Sequence, residues 1–419
     1  DAERALADHP VVVAGGRIAA VGPSERVAVP EGALVIDGRG RWLVPGLVDM
    51  HVHTWDPSEL TLFVANGVTT VRNMFGSPMH LRWRAEIAAG ERFGPTLVTA
   101  GPIVDGSGAA RYRGDVGVRD GRIVEIGRIR SAAERTLDAD GLIVSPGFID
   151  GHTHMDAQVA WDRLGSCSCW HGVTTVIMGN CGFALAPCRP ADREWFARCL
   201  TAVEDIPTEA MLAGIDWTWE TFPEYLANVD RLPKAINYGA YLGHSALRMY
   251  VMGKRALTEK ATDDDLTRMV AAVKEAVRAG AMGFSSSRAT THVTPDDTPV
   301  ASRIADWSEL DRLVGALADL NAGVFQIGPD ISGGEAQRRF LTRLKQLGVE
   351  SGRPIMFGVL SSRQGNKPNP WTYQLDYLDE CAAAGARMWG QSTTRSINAI
   401  FSLKSYLPFD VLPAWRELR

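Results

Sequence analysis

The run IVSPGFIDGHTH, residues 143–154, reads as one buried strand. A continuous apolar stretch closed by polar residues is the pattern of a strand covered on both faces, as in a parallel sheet or barrel. Its end carries His152 and His154, two positions apart. The period of two along a strand turns both imidazoles to one face, so they can converge on a single metal ion at the C-terminal rim, where barrel enzymes keep their chemistry. Two such histidines are also compatible with ordinary packing. Pro146 and Gly147 before them, Asp150 and Asp156 beside them and GVTTV (172–176) after them favour the ligand reading.

Downstream, further strand candidates alternate with helical patterns: VTTVIMG (173–179), AINYGAYLGH (235–244), AMGFSSS (281–287), AGVFQIG (322–328), RPIMFGVL (353–360) and ARMWGQS (386–392). The segment DDDLTRMVAAVKEAVRAG (263–280), acidic at its start and stopped by glycine, is a helix of the intervening kind. Strand, helix, strand at spacings of about 30 residues implies parallel βαβ units. The expected class is therefore α/β, with a (β/α) barrel of the TIM type.

Upstream, the chain repeats itself. GGRIAAVG (15–22) returns as DGRIVEIG (120–127), VIDGRGRWLVPGLVDMHVH (35–53) as TLDADGLIVSPGFIDGHTH (136–154), and NGVTTV (66–71) as HGVTTV (171–176). Two copies are too few for a solenoid and fit a duplicated front end of one domain type. The alternating runs broken by Gly-Gly or Asp-Gly predict hairpins of a small unit of β-sandwich type. The expected organisation is a partial small β unit over 1–42, orphan first βα units of a barrel over 43–102, a second small β unit over 103–143 and an incomplete barrel over 144–419. His51 and His53, with Asp49 and Asp56 nearby, form a second His-x-His pair. Nothing like a complete barrel follows that pair, so it is expected to be vestigial as a metal site.

Composition narrows the function. With 45% hydrophobic and 22% charged residues the chain is too apolar for disorder. A net charge of −5 without any basic run argues against nucleic acid or an anionic membrane as the main partner. No apolar run reaches the roughly 18 residues of a spanning helix. The six cysteines do not form the framework of a small secreted domain, which points to a reducing, cytoplasmic compartment. A small-molecule enzyme fits these features best.

From about Ile103 onward the chain resembles the N-acyl-D-amino-acid deacylase (D-aminoacylase) branch of the amidohydrolase superfamily. The resemblance rests on DVGVRDGRIVEIG (115–127), SPGFIDGHTHMD (145–156), CWHGVTTVIMGNCGFALAP (169–187), YLGHSALR (241–248) and GAMGFSSSR (280–288). Residues 1 to about 105 are similar instead to the front end of an imidazolonepropionase-like or prolidase-like amidohydrolase, through VPGLVDMHVHTW (44–55), ANGVTTVRNM (65–74) and ERFGPTLVTAGPIVDG (91–106).

The resemblance implies hydrolysis of the amide of an N-acylated amino acid by metal-activated water. It implies His152 and His154 as metal ligands on the first strand and Cys181 as a thiolate ligand on the second, with Zn²⁺ as the metal. A thiolate beside Zn²⁺ is held deprotonated and bonds strongly; the other reading of Cys181 is a buried packing residue. Cys167, Cys169 and His171 could suggest a zinc cluster, but the relatives carry similar residues there for packing. His244, at the end of the third strand, is expected to face the site and contact substrate or donate a hydrogen bond to a group that does, and Arg248 or Arg288 to pair with a substrate carboxylate, with solvated or structural roles as the alternative for the arginines. His9, His80 and His292 have no supporting context and are expected at the surface.

The same resemblance implies two more ligand histidines, at the ends of the fifth and sixth strands. Here those places fall in GVFQIG (323–328) and PIMFGVLSS (354–362), and no histidine follows His292. Gln326 stands near the first place, and a neutral amide is a poor zinc ligand. The catalytic Asp of the relatives, on an eighth strand, would lie beyond Arg419. A C-terminally truncated barrel, at most one equivalent of Zn²⁺ and poor hydrolysis are therefore expected. The alternative is a catalytically incompetent fusion or fragment of two amidohydrolases that retains at most a weak metal site.

Overall fold

The computed structural model describes residues 6–74, 78–99, 103–139, 142–204, 206–296, 298–330, 334–359, 372–394 and 412–418. Leu360 to Ser362, the end of the expected sixth strand segment, lie outside them. The chain divides into two compact units, Asp1–Pro146 and Gly147–Arg419.

In the first unit, strands β1 (Val11–Ala14) and β2 (Arg17–Val21) form one antiparallel hairpin. Strands β3 (Leu47–Val52), β4 (Val68–Asn73) and β5 (Thr96–Thr99) form a three-stranded parallel sheet. Strands β6 (Asp115–Arg119) and β7 (Arg122–Gly127) make a second hairpin. The two turns are built alike: Gly15 and Gly16, then Asp120 and Gly121, all have left-handed φ, the requirement of a two-residue type I′ connection. Each hairpin is a two-stranded sheet of its own, so the expected sandwich is represented among the described residues by two separate hairpins. Four-to-six-residue strands have too few inward positions to build a shared core. The parallel sheet does have a core, of Val52, Leu60, Val71, Trp83 and Leu97.

In the second unit, seven parallel strands follow in sequence order: β8 (Phe148–Asp150), β9 (Val173–Met178), β10 (Asn237–Gly243), β11 (Gly283–Ser287), β12 (Val324–Gly328), β13 (Ile355–Val359) and β14 (Met388–Gln391). Helices lie between them. That over Asp263–Arg278 starts with a capping box of Thr262 and Asp265 and ends before Gly280, whose φ of +111° no side chain tolerates readily. The strands curl around a common interior. Tyr241 of β10 donates to Met356 Sδ of β13 at 3.7 Å, and a Cβ built on Gly151, just past β8, would lie 3.7 Å from Met356 Cε.

The period of two separates the faces. Phe284, Phe325, Ile327, Ile355 and Phe357 belong to the main apolar core with Leu310, Leu313 and Leu317 of the helix Trp307–Asp319. Gln326, Gly328 and Met356 alternate with them and line the interior. This is an incomplete (β/α) barrel, of the type the sequence pattern implies.

The duplicated segments share one packing device. Leu47 N donates to Gly67 O at 2.8 Å, and Phe148 N to Gly172 O at 3.0 Å. A Cβ on Gly46 would fall 2.0 Å from Thr69 Oγ1, and one on Gly147 would fall 2.0 Å from Thr174 Oγ1. The Pro-Gly and GVTT motifs therefore serve each other: only glycine lets the first strand approach the threonine of the second. Thr174 Cβ itself would stand 2.6 Å from the added atom, so rotating the side chain gives no relief. Gly147→Ala is expected to destabilise the second unit by about 1–3 kcal/mol, the usual range for overpacking, measured by urea denaturation.

Candidate metal centre

His152 and His154 directly follow β8, whose last residue, Asp150, accepts the His152 N–H at 3.1 Å. Thr153 between them turns the other way and bonds Ile177 O of β9 through both its N–H (3.0 Å) and its hydroxyl (2.9 Å). That anchorage leaves the two imidazoles on the opposite side, with ring centroids 5.5 Å apart.

Cys181 follows β9 in a tight turn, Asn180–Gly182, and its own φ is +57°, a left-handed conformation that costs a non-glycine residue energy. The turn is pinned from several sides. Gln326 Oε1 accepts the Cys181 N–H at 2.7 Å, Ser285 Oγ accepts that of Gly182 at 3.0 Å, and Asp156 Oδ2 accepts that of Gly179 at 3.0 Å. So held, Cys181 Sγ lies 3.3 Å from His152 Nε2.

One ligand atom from each of His152, His154 and Cys181 lies within 4.8 Å of the others, and among the described residues no other group of three His, Cys, Asp or Glu side chains gathers in this way. Bond lengths of about 2.0–2.3 Å place neighbouring ligands of a tetrahedral zinc roughly 3.3–3.6 Å apart. The 3.3 Å pair already has that spacing, and two imidazoles with one thiolate are donors that Zn²⁺ favours, so these residues fit the ion. Burial lowers the His152 pKa. Burial first, then the neighbouring His152 and His292, bring His154 down to about 3, so it is neutral and able to ligate at physiological pH.

Two neighbours were not foreseen. His292, expected at the surface, is half-buried: Ser287 Oγ lies 2.7 Å from its Nδ1, and its ring meets Phe183 edge-on at 5.1 Å. A Cβ on Gly328 would be 3.5 Å from both Cys181 Sγ and His292 Cε1, so the missing side chain keeps open a small space between thiol and imidazole. The available signal was its place in the loop after β11, on the face where barrel chemistry is found. Gln391, the last residue of β14, has its Oε1 2.7 Å from His152 Nδ1.

The expected substrate contacts are corrected. His244 is fully buried, with Nδ1 2.9 Å from Ser286 Oγ and Nε2 2.7 Å from Glu309 Oε1. Arg248, also fully buried, pairs with Glu309 and donates to Glu259 O at 2.7 Å and Ala256 O at 3.2 Å. Ser286 and Glu309 belong to the helix side of the sheet, so this cluster ties strand to helix and offers no donor to a ligand in the interior. Arg288 donates to the carbonyls of Ser302 (3.4 Å) and Arg303 (3.3 Å), at the end of the helix Ala301–Ile304, and lies over Trp307. A cation near a helix C-terminus is a structural use of arginine.

His80 is likewise not at the surface: it is fully buried, with Nε2 2.7 Å from Thr54 O and its ring edge-on to Trp83. His51 and His53 repeat the geometry of the second pair, with the Asp49 carboxylate accepting the His51 N–H at 3.0 Å and rings 5.2 Å apart, but both are exposed. Aligning Val68 with Val173 sets Gly76 opposite Cys181 in the sequence. Cys167 and His171 are exposed, and Cys169 Sγ is 3.9 Å from Ser166 O.

With this geometry the chain is identified: it belongs to the amidohydrolase family, whose sequence pattern matches residues 135–384. A D-aminoacylase of Alcaligenes xylosoxydans xylosoxydans is 37% identical over 203 residues, which cover 46% of this chain and 39% of that protein. A solved D-aminoacylase, described as having a binuclear metal centre activated by one metal and attenuated by a second, superposes with a TM-score of 0.55 at 28% identity, covering 70% of this chain and 57% of its own. The N-acyl-D-glutamate deacylase of Bordetella bronchiseptica, solved with zinc and a phosphonate inhibitor, gives a TM-score of 0.56 at 26% identity, covering 70% and 56%. The chain spans about two fifths of the length of the curated D-aminoacylase that it matches.

The Glu309 cluster yields a stability prediction. Burial raises the Glu309 carboxyl, but the hydrogen bond and charge of His244 and the Arg248 guanidinium together outweigh it and hold it down at about 2, against 4.5 unperturbed. A depressed carboxylate stabilises the fold above its unfolded pKa and loses that contribution as pH falls through the folded one. Glu309→Gln is expected to be less stable than wild type at neutral pH, by a margin that shrinks as pH falls from 4.5 towards 2, read from denaturation curves across pH.

Proposed function

We propose that this chain carries a mononuclear zinc site of an amidohydrolase that cleaves the linear amide of an N-acylated amino acid, with His152, His154 and Cys181 as ligands. The observation that carries this reading is the convergence of two imidazoles and a thiol at one strand-end rim. The D-aminoacylase and N-acyl-D-glutamate deacylase relatives support N-acyl-D-amino acids as the substrate class and zinc as the metal. Three protein ligands leave a zinc ion an open position, where it would act as a Lewis acid and lower the pKa of water.

The chain's own residues supply the rest. Gln326 and Ser285 hold the turn that aims the Cys181 thiolate. Gly328 keeps the space beside it clear. His292 faces that space from the loop after β11, and since Ser287 engages Nδ1, Nε2 is the atom available to take up and return a proton. Burial first, then Arg303 and His152, bring the His292 pKa down to about 4, so the ring is neutral near pH 7 and carries a lone pair able to accept a proton. A cytoplasmic setting suits six cysteines of which none forms a disulfide among the described residues.

A second reading, a catalytically incompetent fusion or fragment of two amidohydrolases with at most a weak metal site, is favoured by one observation. Gln326 on β12 uses its oxygen on Cys181 N–H, and Met356 lines the interior from β13, so neither strand adds an imidazole ligand. Elemental analysis of the purified full chain with a panel of N-acetyl-D- and L-amino acids separates the two. The first reading expects one equivalent of zinc, lost in Cys181→Ser, and turnover of D-substrates abolished in His152→Ala/His154→Ala. Absence of turnover, with zinc held weakly or not at all, supports the second, and turnover without zinc contradicts both.

His292→Ala is expected to keep its zinc and lose about 10²- to 10⁴-fold in kcat, the usual weight of a positioned acid–base group. Loss of zinc in that variant would make His292 a ligand instead.

A further inference from the structure

β14 and β8 are the two edges of the seven-stranded sheet and share no ladder. One side chain nevertheless spans from one to the other. Gln391, at the end of β14, donates from Nε2 to Gly151 O at 3.2 Å, and its Oε1 lies 2.7 Å from His152 Nδ1. A Cβ on Gly151 would stand in ordinary van der Waals contact with Gln391 Nε2, at 3.7 Å.

These contacts determine where the imidazole keeps its proton. A carbonyl oxygen only accepts, so the nitrogen end of the amide must face Gly151 and the oxygen end must face His152. An amide oxygen also only accepts, so Nδ1 of His152 must carry hydrogen. A neutral imidazole has one such hydrogen, and Nε2 is therefore left with its lone pair. That nitrogen is the one 3.3 Å from Cys181 Sγ.

We propose that Gln391 is a positioning residue: it locks His152 as the Nδ1–H tautomer and fixes the ring so that the Nε2 lone pair points beside the Cys181 thiol, ready for a divalent metal ion. The metal part of this inference rests on the zinc reading above; the tautomer part does not. Partners of this kind set the ring orientation and basicity of a ligating histidine, and their removal typically weakens metal binding about 10- to 100-fold. Because the amide also holds Gly151, the same side chain keeps the rim at the end of β8 against β14, where no backbone ladder does so.

The experiment uses the full chain in two measurements. Long-range ¹H–¹⁵N NMR of metal-free, histidine-labelled protein, with His152→Ala to assign the signals, is expected to show His152 protonated at Nδ1 and bare at Nε2. Gln391→Leu is expected to lose this preference, whereas Gln391→Glu, whose carboxylate also accepts from Nδ1–H, restores it. Titration with Co²⁺, followed through the thiolate-to-cobalt absorption, is expected to give about 10- to 100-fold weaker binding in Gln391→Leu than in wild type. A wild-type His152 bare at Nδ1, or a Gln391→Leu variant with the wild-type tautomer and the wild-type Co²⁺ affinity, overturns the proposal. The wild-type spectrum decides by itself if the leucine variant does not fold. A wild type that binds no Co²⁺ but shows the expected tautomer overturns the zinc reading and leaves the positioning role standing.

Discussion

The left-handed turn at Cys181 is the constraint on which the site depends. A cysteine with φ of +57° persists only where its surroundings over-determine it, and here they do. Side-chain acceptors on Gln326, Ser285 and Asp156 hold three backbone N–H groups in four consecutive residues. Each acceptor comes from a different strand or strand end: β12, β11 and the segment after β8. The turn can therefore form only when the strands on either side are in register. Folding of the sheet and assembly of the thiol beside the imidazoles are one event.

The same economy explains the repeated front end. Pro-Gly on one strand and GVTT on the next work as lock and key in both copies, through Gly46 with Thr69 and Gly147 with Thr174. Both copies then present a His-x-His pair with the same aspartate-to-backbone bond. What separates them is what stands across the gap. The second pair meets Cys181, Gln391 and the neighbourhood of His292, supplied by strands β9 to β14. The first pair stands at the end of β3, in a sheet of three strands among the described residues, and remains exposed.

Much of this was legible in the sequence, for a physical reason. His152, His154 and Cys181 sit at the ends of adjacent strands, and strand periodicity with a short βα connection carries them to one place without knowledge of the rest. The order of the parallel strands follows from the same alternation. His292 and Gln391 are different. Gln391 lies 239 positions from the histidine it touches, and only the curl of the sheet joins them. His244 and Arg248 were misread because a strand-end position does not say which face the next residue takes. His244 opens the helix His244–Met252 and turns to Ser286 and Glu309, on the helix side. His80 was misread because a histidine in a polar helix pattern gives no hint that Thr54 O waits at hydrogen-bond distance.

The central claim is that one thiolate and two imidazoles of adjacent strand ends bind a single zinc ion. Zinc K-edge X-ray absorption of the purified chain tests it most directly. The account predicts one sulfur neighbour at about 2.3 Å with nitrogen or oxygen neighbours at about 2.0–2.1 Å, and loss of the sulfur shell in Cys181→Ser. A bound zinc with no sulfur neighbour, or one whose sulfur shell survives that substitution, would contradict it.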